Sequence, residues 1–148
     1  MNEIQLTGLE KLQRQWAENT LIADQPTHLN LTVKQIEQNL VICEVVADQG
    51  YINSAGLVKG DFATSVLDYA TYCVAQTVLK SGFTHQSVDL NVKFCQQIPA
   101  NRVLACEAKV VNVGRSIIIT EAVICDSDGE IYTYASATHK ILRPKMDN

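Results

Sequence analysis

The chain has 148 residues, enough for one well-cored domain and too few for two of ordinary size. With 47% hydrophobic and 19% charged residues it has the composition of a soluble globular protein. A formal charge of −4 weighs against a nucleic-acid partner, because phosphate contacts want a basic face, though it leaves room for a local basic pocket.

Taken in chain order, the first 18 residues predict a short amphipathic helix, with Ile4, Leu9, Leu12 and Trp16 at helical spacing and Gly8 weakening its first turn. This N-terminus mixes charges of both signs around no apolar signal core, so a cytoplasmic protein is expected. Pro26 breaks the chain. HLNLTVKQIE then alternates Leu29, Leu31 and Val33 against Asn30, Thr32 and Lys34, and NLVICEVVA is a compact β-branched run. Gln38-Asn39 between them is a plausible hairpin turn, and DQGYINSAG has the composition of a loop.

From Phe62 to Leu79 the chain carries one charge, Asp68. With no Gly or Pro between Asp61 and Ser81, this stretch predicts a long central helix over 60–81, stopped by Ser81-Gly82. Asp61 suits the first turn, where the helix dipole favours an acid. The stretch is the longest apolar run, and Asp68 with its Thr and Ser residues makes it a poor membrane span, so no membrane partner is expected. On a helical wheel Asp68 shares a stripe with Asp61, Thr64, Ser65, Tyr72 and Gln76, opposite Phe62, Val66, Tyr69, Ala70 and Cys73. A solvated stripe usually carries Lys and Glu. This one, weakly polar, suits a subunit interface or a lined pocket better.

After Gly82 the period changes to two. SVDLNVKF sets Val88, Leu90, Val92 and Phe94 against Ser87, Asp89, Asn91 and Lys93. RVLACEAKVVNV, RSIIITEAVIC and EIYTYASATHKIL follow, parted by Pro99-Ala-Asn, Val113-Gly114 and an Asp-Gly turn at 128–129. Strands joined by such short turns are expected to be antiparallel. One α+β domain over 1–148 results, an antiparallel sheet of about six strands that must curl around one long apolar helix. The five cysteines (Cys43, Cys73, Cys95, Cys106, Cys125) are odd in number, dispersed and without a C-x-x-C pair, as expected of free thiols in a reducing compartment. His28, His85 and His139 show no zinc-ligand spacing, so no metal is expected, and His85 and His139 read as structural or surface residues.

Strand–strand–loop–long helix–four strands is the order of the hotdog fold, and the loop NSAGLVKGDFATSVLD resembles that of hotdog acyl-CoA thioesterases of the phenylacetyl-CoA thioesterase type. The family signature is an Asn, a His-Gly-Gly at the head of the central helix, and an Asp nine residues after the His. Asn53 lies six residues before Lys59, Gly60 falls on the first Gly, and Asp68 lies nine residues after Lys59. Lys59 and Asp61 depart from the family's His and second Gly. SVDLNVKF resembles the strand whose Ser supports the catalytic Asp, with Ser87 in that place. The closing segment from Val110 resembles the family's last strands, with Gly114-Arg115-Ser116 where a Gly-Arg meets coenzyme A phosphates.

The resemblance implies thioester hydrolysis with no cofactor beyond the coenzyme A of the substrate, in a homodimer that can pair into a dimer of dimers. Asn53 and Gly60 of one protomer would polarise the carbonyl, and Asp68 and Ser87 of the other would supply the base or nucleophile. Chemistry agrees: a carboxylate near an apolar acyl chain can activate water or attack, and helix-start N–H groups at Gly60 suit an oxyanion. Lys59 and Asp61, with Gly114, Arg115 and Ser116, are candidate coenzyme A contacts. Each residue has a plainer role open to it. Asp68 can be a solvated polar-face residue, Gly60 can be a turn glycine, Asn53 can satisfy its own loop, Ser87 can face outward, and Lys59 and Arg115 can be solvated. Lys59 and Asp61 beside the oxyanion site can also mark a module that binds acyl-CoA or an acyl carrier protein without cleaving it. A dehydratase or hydratase is disfavoured, since no His falls in the helix or its entry loop.

Overall fold

The computed structural model describes residues 5–145. Its elements are α1 (Gly8–Ala17), β1 (Asn30–Glu37), β2 (Leu40–Val46), α2 (Gly60–Gln76), β3 (Thr84–Phe94), β4 (Val103–Val113), β5 (Ile117–Cys125) and β6 (Ile131–Leu142). The strands form one antiparallel sheet in the order β1-β2-β4-β5-β6-β3. It curls around α2, which packs on β2 through β6. This is the hotdog fold.

Apolar alternation drives the wrapping. Val41, Cys43 and Val45 of β2 are fully buried, as are Ile118 and Ile124 of β5. Val41, Cys43, Val45 and Ile124 share one core cluster with Phe62, Val66, Leu67 and Val74 of α2, also fully buried, while Ile118 packs with Ala75 and Leu79. Short connections do make antiparallel neighbours of β1 and β2, with Asn39 left-handed in the turn (φ 71°), and of β5 and β6. Between β3 and β4 they do not: residues 95–102 carry the chain across the sheet, so β3 ends beside β6 instead. One edge strand is therefore a long one.

The central helix is shorter than 60–81. It ends at Gln76, because Thr77 turns its hydroxyl back to the Val74 carbonyl (2.7 Å) while accepting the Asn39 N–H (3.0 Å). The next two N–H groups, of Val78 and Leu79, then bond three residues back, which tightens the chain out of the α-helix. Ser81-Gly82 lie in the following turn, with Gly82 at φ 83°.

The N-terminal helix is also shorter than expected. Thr7 caps it, sharing reciprocal bonds with Glu10 in a capping box. The expected residues 1–4, Ile4 among them, lie outside the described chain. Gly8 is an anchor: its N–H donates to the Leu79 carbonyl (3.0 Å), and its carbonyl accepts from Gln76 Nε2 (3.3 Å). A Cβ there would overlap the Gln76 carbonyl oxygen. Among the described residues no helix is long and apolar enough to cross a membrane.

Because that overlap is with backbone, Gly8→Ala should lower the unfolding free energy by about 2 kcal/mol. A urea unfolding curve superimposed on wild type would show that α1 yields freely.

Candidate active site

The weakly polar stripe of α2 is where the wheel puts it. Asp61, Thr64 and Asp68 are exposed, Ser65, Tyr72 and Gln76 half-buried, and the opposite face is buried. Asp68 lines a cavity of about 340 Å³ with Ser65, Tyr72, Ser87, Asp24 and His28. Although solvent reaches it in the single chain, the surrounding protein desolvates its carboxyl and raises its pKa above the ordinary aspartate value. Such a shift moves a carboxylate toward the range useful for a base. The 22–25 segment roofs this cavity. Tyr69 donates from its hydroxyl to the Ile22 carbonyl (2.8 Å), and Ala23 and Asp24 both sit at left-handed φ (49° and 53°).

Ser87 reaches the same cavity because β3 slips by one residue. The pairing with β6 shifts between Ser87 and Asp89, leaving Val88 as an extra, bulged residue. Strict alternation over Val88, Leu90, Val92 and Phe94 points Ser87 away from the helix. With the bulge, Leu90 and Val92 keep the inner face, Val88 and Phe94 are exposed (53% and 60%), and Ser87 and His85 turn inward. The Ser87 hydroxyl then lies 3.3 Å from Nδ1 of His139, whose Nε2 is 2.9 Å from the Thr120 hydroxyl. His139 is fully buried and meets the ring of His85 edge-on at 5.1 Å, while Tyr72 stacks on His85 at 4.0 Å.

The other named residues lie elsewhere in the protomer. Lys59 and Gly60 line a second cavity of about 480 Å³, in which the Phe94 ring covers Gly60; a Cβ on Gly60 would stand 3.3 Å from it. Asn53 closes its own loop, Oδ1 accepting the N–H groups of Ala55 and Leu57 (both 3.0 Å). Its carbonyl end is thereby committed, and its loop leads into α2, with Lys59 N–H donating to the Tyr51 carbonyl (2.8 Å). Asp61 is exposed in the first turn of α2. Gly114 and Arg115 line a third cavity, about 620 Å³, with Lys80, Phe83 and Arg143. The Ser116 carbonyl beside them accepts from Ile141 N–H (2.8 Å). This cavity lies near the opposite end of α2, a helix of 17 residues and so about 25 Å long. The chain thus brings together Asp68 with Ser87, and Lys59 with Gly60, and keeps these pairs apart from Arg115.

The sequence pattern of the thioesterase superfamily matches residues 62–133, which hold Asp68, Ser87, Arg115 and four of the six strands wholly or in part. Just under half of the chain is thus similar to the thioesterase superfamily. No curated protein matches it at a significant level. Solved structures with this thioesterase fold include a phenylacetic acid degradation-related protein from Ralstonia eutropha, 20% identical over 88% of this chain and 98% of its own, with TM-score 0.78. A thioesterase from Haemophilus influenzae is 14% identical over 97% and 95%, with TM-score 0.75. A Streptococcus mutans protein solved with acetyl-CoA is 14% identical over 84% and 98%, with TM-score 0.74.

Asp24, Thr120 and the two buried histidines lie in or behind this candidate site, and no sequence signal marks them for it. The histidines had no telling spacing, and their position depends on the bulge. Four cysteines are buried free thiols, while Cys95 is exposed at the second cavity.

Burial holds both histidines near a pKa of about 4; for His85 the His139 ring adds to it, and for His139 the Asp89 carboxylate opposes it. An unfolded histidine titrates near about 6.5, so the folded state binds these protons less tightly. Their contribution is complete above about pH 6.5 and is lost as pH falls toward about 4. His85→Phe should flatten the fall of Tm between about pH 7 and about pH 5, and a slope equal to wild type would contradict the assignment.

Proposed function

We propose that this protein is an acyl-CoA thioesterase that hydrolyses the thioester to a free acid and coenzyme A. The observation that carries the proposal is a desolvated carboxylate, Asp68, on the weakly polar stripe of the central helix in a thioesterase fold. Asp68 takes a proton from water as the oxygen attacks the thioester carbon; alternatively its carboxylate attacks directly, and water then hydrolyses the acyl-Asp68 anhydride, frees the acid and supplies the proton that the departing thiolate takes up. The carbonyl oxygen becomes an oxyanion against the first N–H groups of α2 at Gly60, which have no intrahelical acceptor. Carbon–sulfur cleavage then releases coenzyme A, whose thiolate takes up the proton.

Gly60 and Asp68 stand two turns apart on one helix, and Ser87 is beside Asp68 but not beside Gly60. A site shared by two protomers resolves this separation. β3 ends the sheet along an eleven-residue edge with Val88 and Phe94 exposed, and pairing two such edges would continue the sheet and set the central helices side by side. Asn53, Lys59, Gly60 and Asp61 of one protomer would then face Asp68 and Ser87 of the next. Arg115, with Gly114 and Ser116, would meet the coenzyme A phosphates, consistent with the bound acetyl-CoA of the Streptococcus mutans neighbour.

Thiol release from short, long and aromatic acyl-CoAs tests this. Asp68→Asn should reduce kcat by about 100-fold or more, and near wild-type turnover would remove Asp68 from the chemistry. Saturable acyl-CoA binding with no thiol release from wild type would favour a binding module instead. Arg115→Ala should raise KM about tenfold with kcat little changed, as loss of a contact made equally in ground and transition states.

A further inference from the structure

The hydroxyl–imidazole–hydroxyl row behind Asp68 has a direction, and burial sets it. Thr120 is fully buried on β5, and the hydrogen bond to His139 Nε2 is the one its side chain makes among the described residues. Were Nε2 protonated, the Thr120 oxygen would have to accept, leaving its own hydrogen in the core without an acceptor. A buried orphan donor is costly. Thr120 therefore donates, at 2.9 Å, and Nε2 is the lone-pair nitrogen.

A neutral imidazole carries one ring proton, so that proton is on Nδ1. The burial that keeps His139 well below its ordinary titration range keeps it neutral. Nδ1–H then points along the 3.3 Å contact to Ser87 Oγ, the longer of the two bonds. With an oxygen lone pair occupied from behind, the Ser87 proton is left to the cavity that Ser87 shares with Asp68. The opposite tautomer would turn that proton inward and present only lone pairs to a carboxylate. His85 does not compete: its ring nitrogens make no hydrogen bond to Ser87, His139 or Thr120, and its ring packs between Tyr72 and His139.

We infer that Thr120 and His139 are positioning residues that fix Ser87 as a hydrogen-bond donor toward the Asp68 cavity. The bulge at Val88 brings Ser87 into line opposite His139, and the tautomer gives the line its polarity. Ser87 so held can orient the Asp68 carboxylate, or the water it activates, with the proton aimed in advance. The kinetic consequence rests on the thioesterase function proposed above, but the tautomer does not.

Long-range proton–nitrogen correlation spectra of the ¹⁵N-labelled full chain test the tautomer directly. His139 should show a protonated Nδ1 and a bare Nε2 at neutral pH, and Thr120→Val should move the proton toward Nε2. A wild-type His139 protonated at Nε2 overturns the inference. In the thiol-release assay, Thr120→Val should lower kcat about tenfold with KM little changed. His139→Asn, whose amide can donate in place of Nδ1–H, should retain more activity than His139→Leu. Equal losses in those two variants would make His139 packing alone and overturn the positioning role. If wild type cleaves no acyl-CoA, the proposed function fails, while the imidazole spectra still decide the relay.

Discussion

The structure depends on burying a mostly apolar helix that has no second layer of helices to cover it. α2 buries Phe62, Val66, Leu67, Ala70 and Val74, and the described strands supply the surface that encloses them. A flat sheet would cover one side only, so the strands must curl, and the curl leaves one stripe of the helix uncovered. Asp68 belongs to that stripe because a carboxylate is costly anywhere else on the helix. The packing problem and the placement of the lone carboxylate therefore have the same solution.

The uncovered stripe also runs between cationic residues at either end. Arg115 with Lys80 and Arg143 stands toward one end of the helix, and Lys59 with Gly60 at the other. Asp68 lies between them, with the strained roof at Ala23 and Asp24 held over it by Tyr69. Edge strand β3 links these features, since it carries Ser87 toward the helix and Phe94 against Gly60 while leaving its outer edge unpaired.

Much of this was legible in the residues. Alternation and a β-branched run located β1 and β2, the change to a twofold period after Gly82 located the other four strands, and the one-charge stretch located α2 and its polar stripe. Its C-terminus was misjudged, because Thr77 ends the helix through contacts with Val74 and Asn39, the latter distant in sequence. Gly8 looked like a weak helix start and is a point of close contact with Gln76 instead. Neither contact has a local signature.

What the sequence by itself determined is the hidden face of the central helix and of the regularly alternating β1, with Asp68 on the weakly polar stripe of the helix. Tertiary structure decided which of the remaining polar residues meet. A single extra residue at Val88 reverses the phase of β3, and with period two that turns Ser87 and His85 from the outer face to the inner one. Alternation cannot foresee the slip, because the slip is set by pairing with β6, a strand encoded some fifty residues later. The buried histidine behind Ser87 follows from that pairing alone.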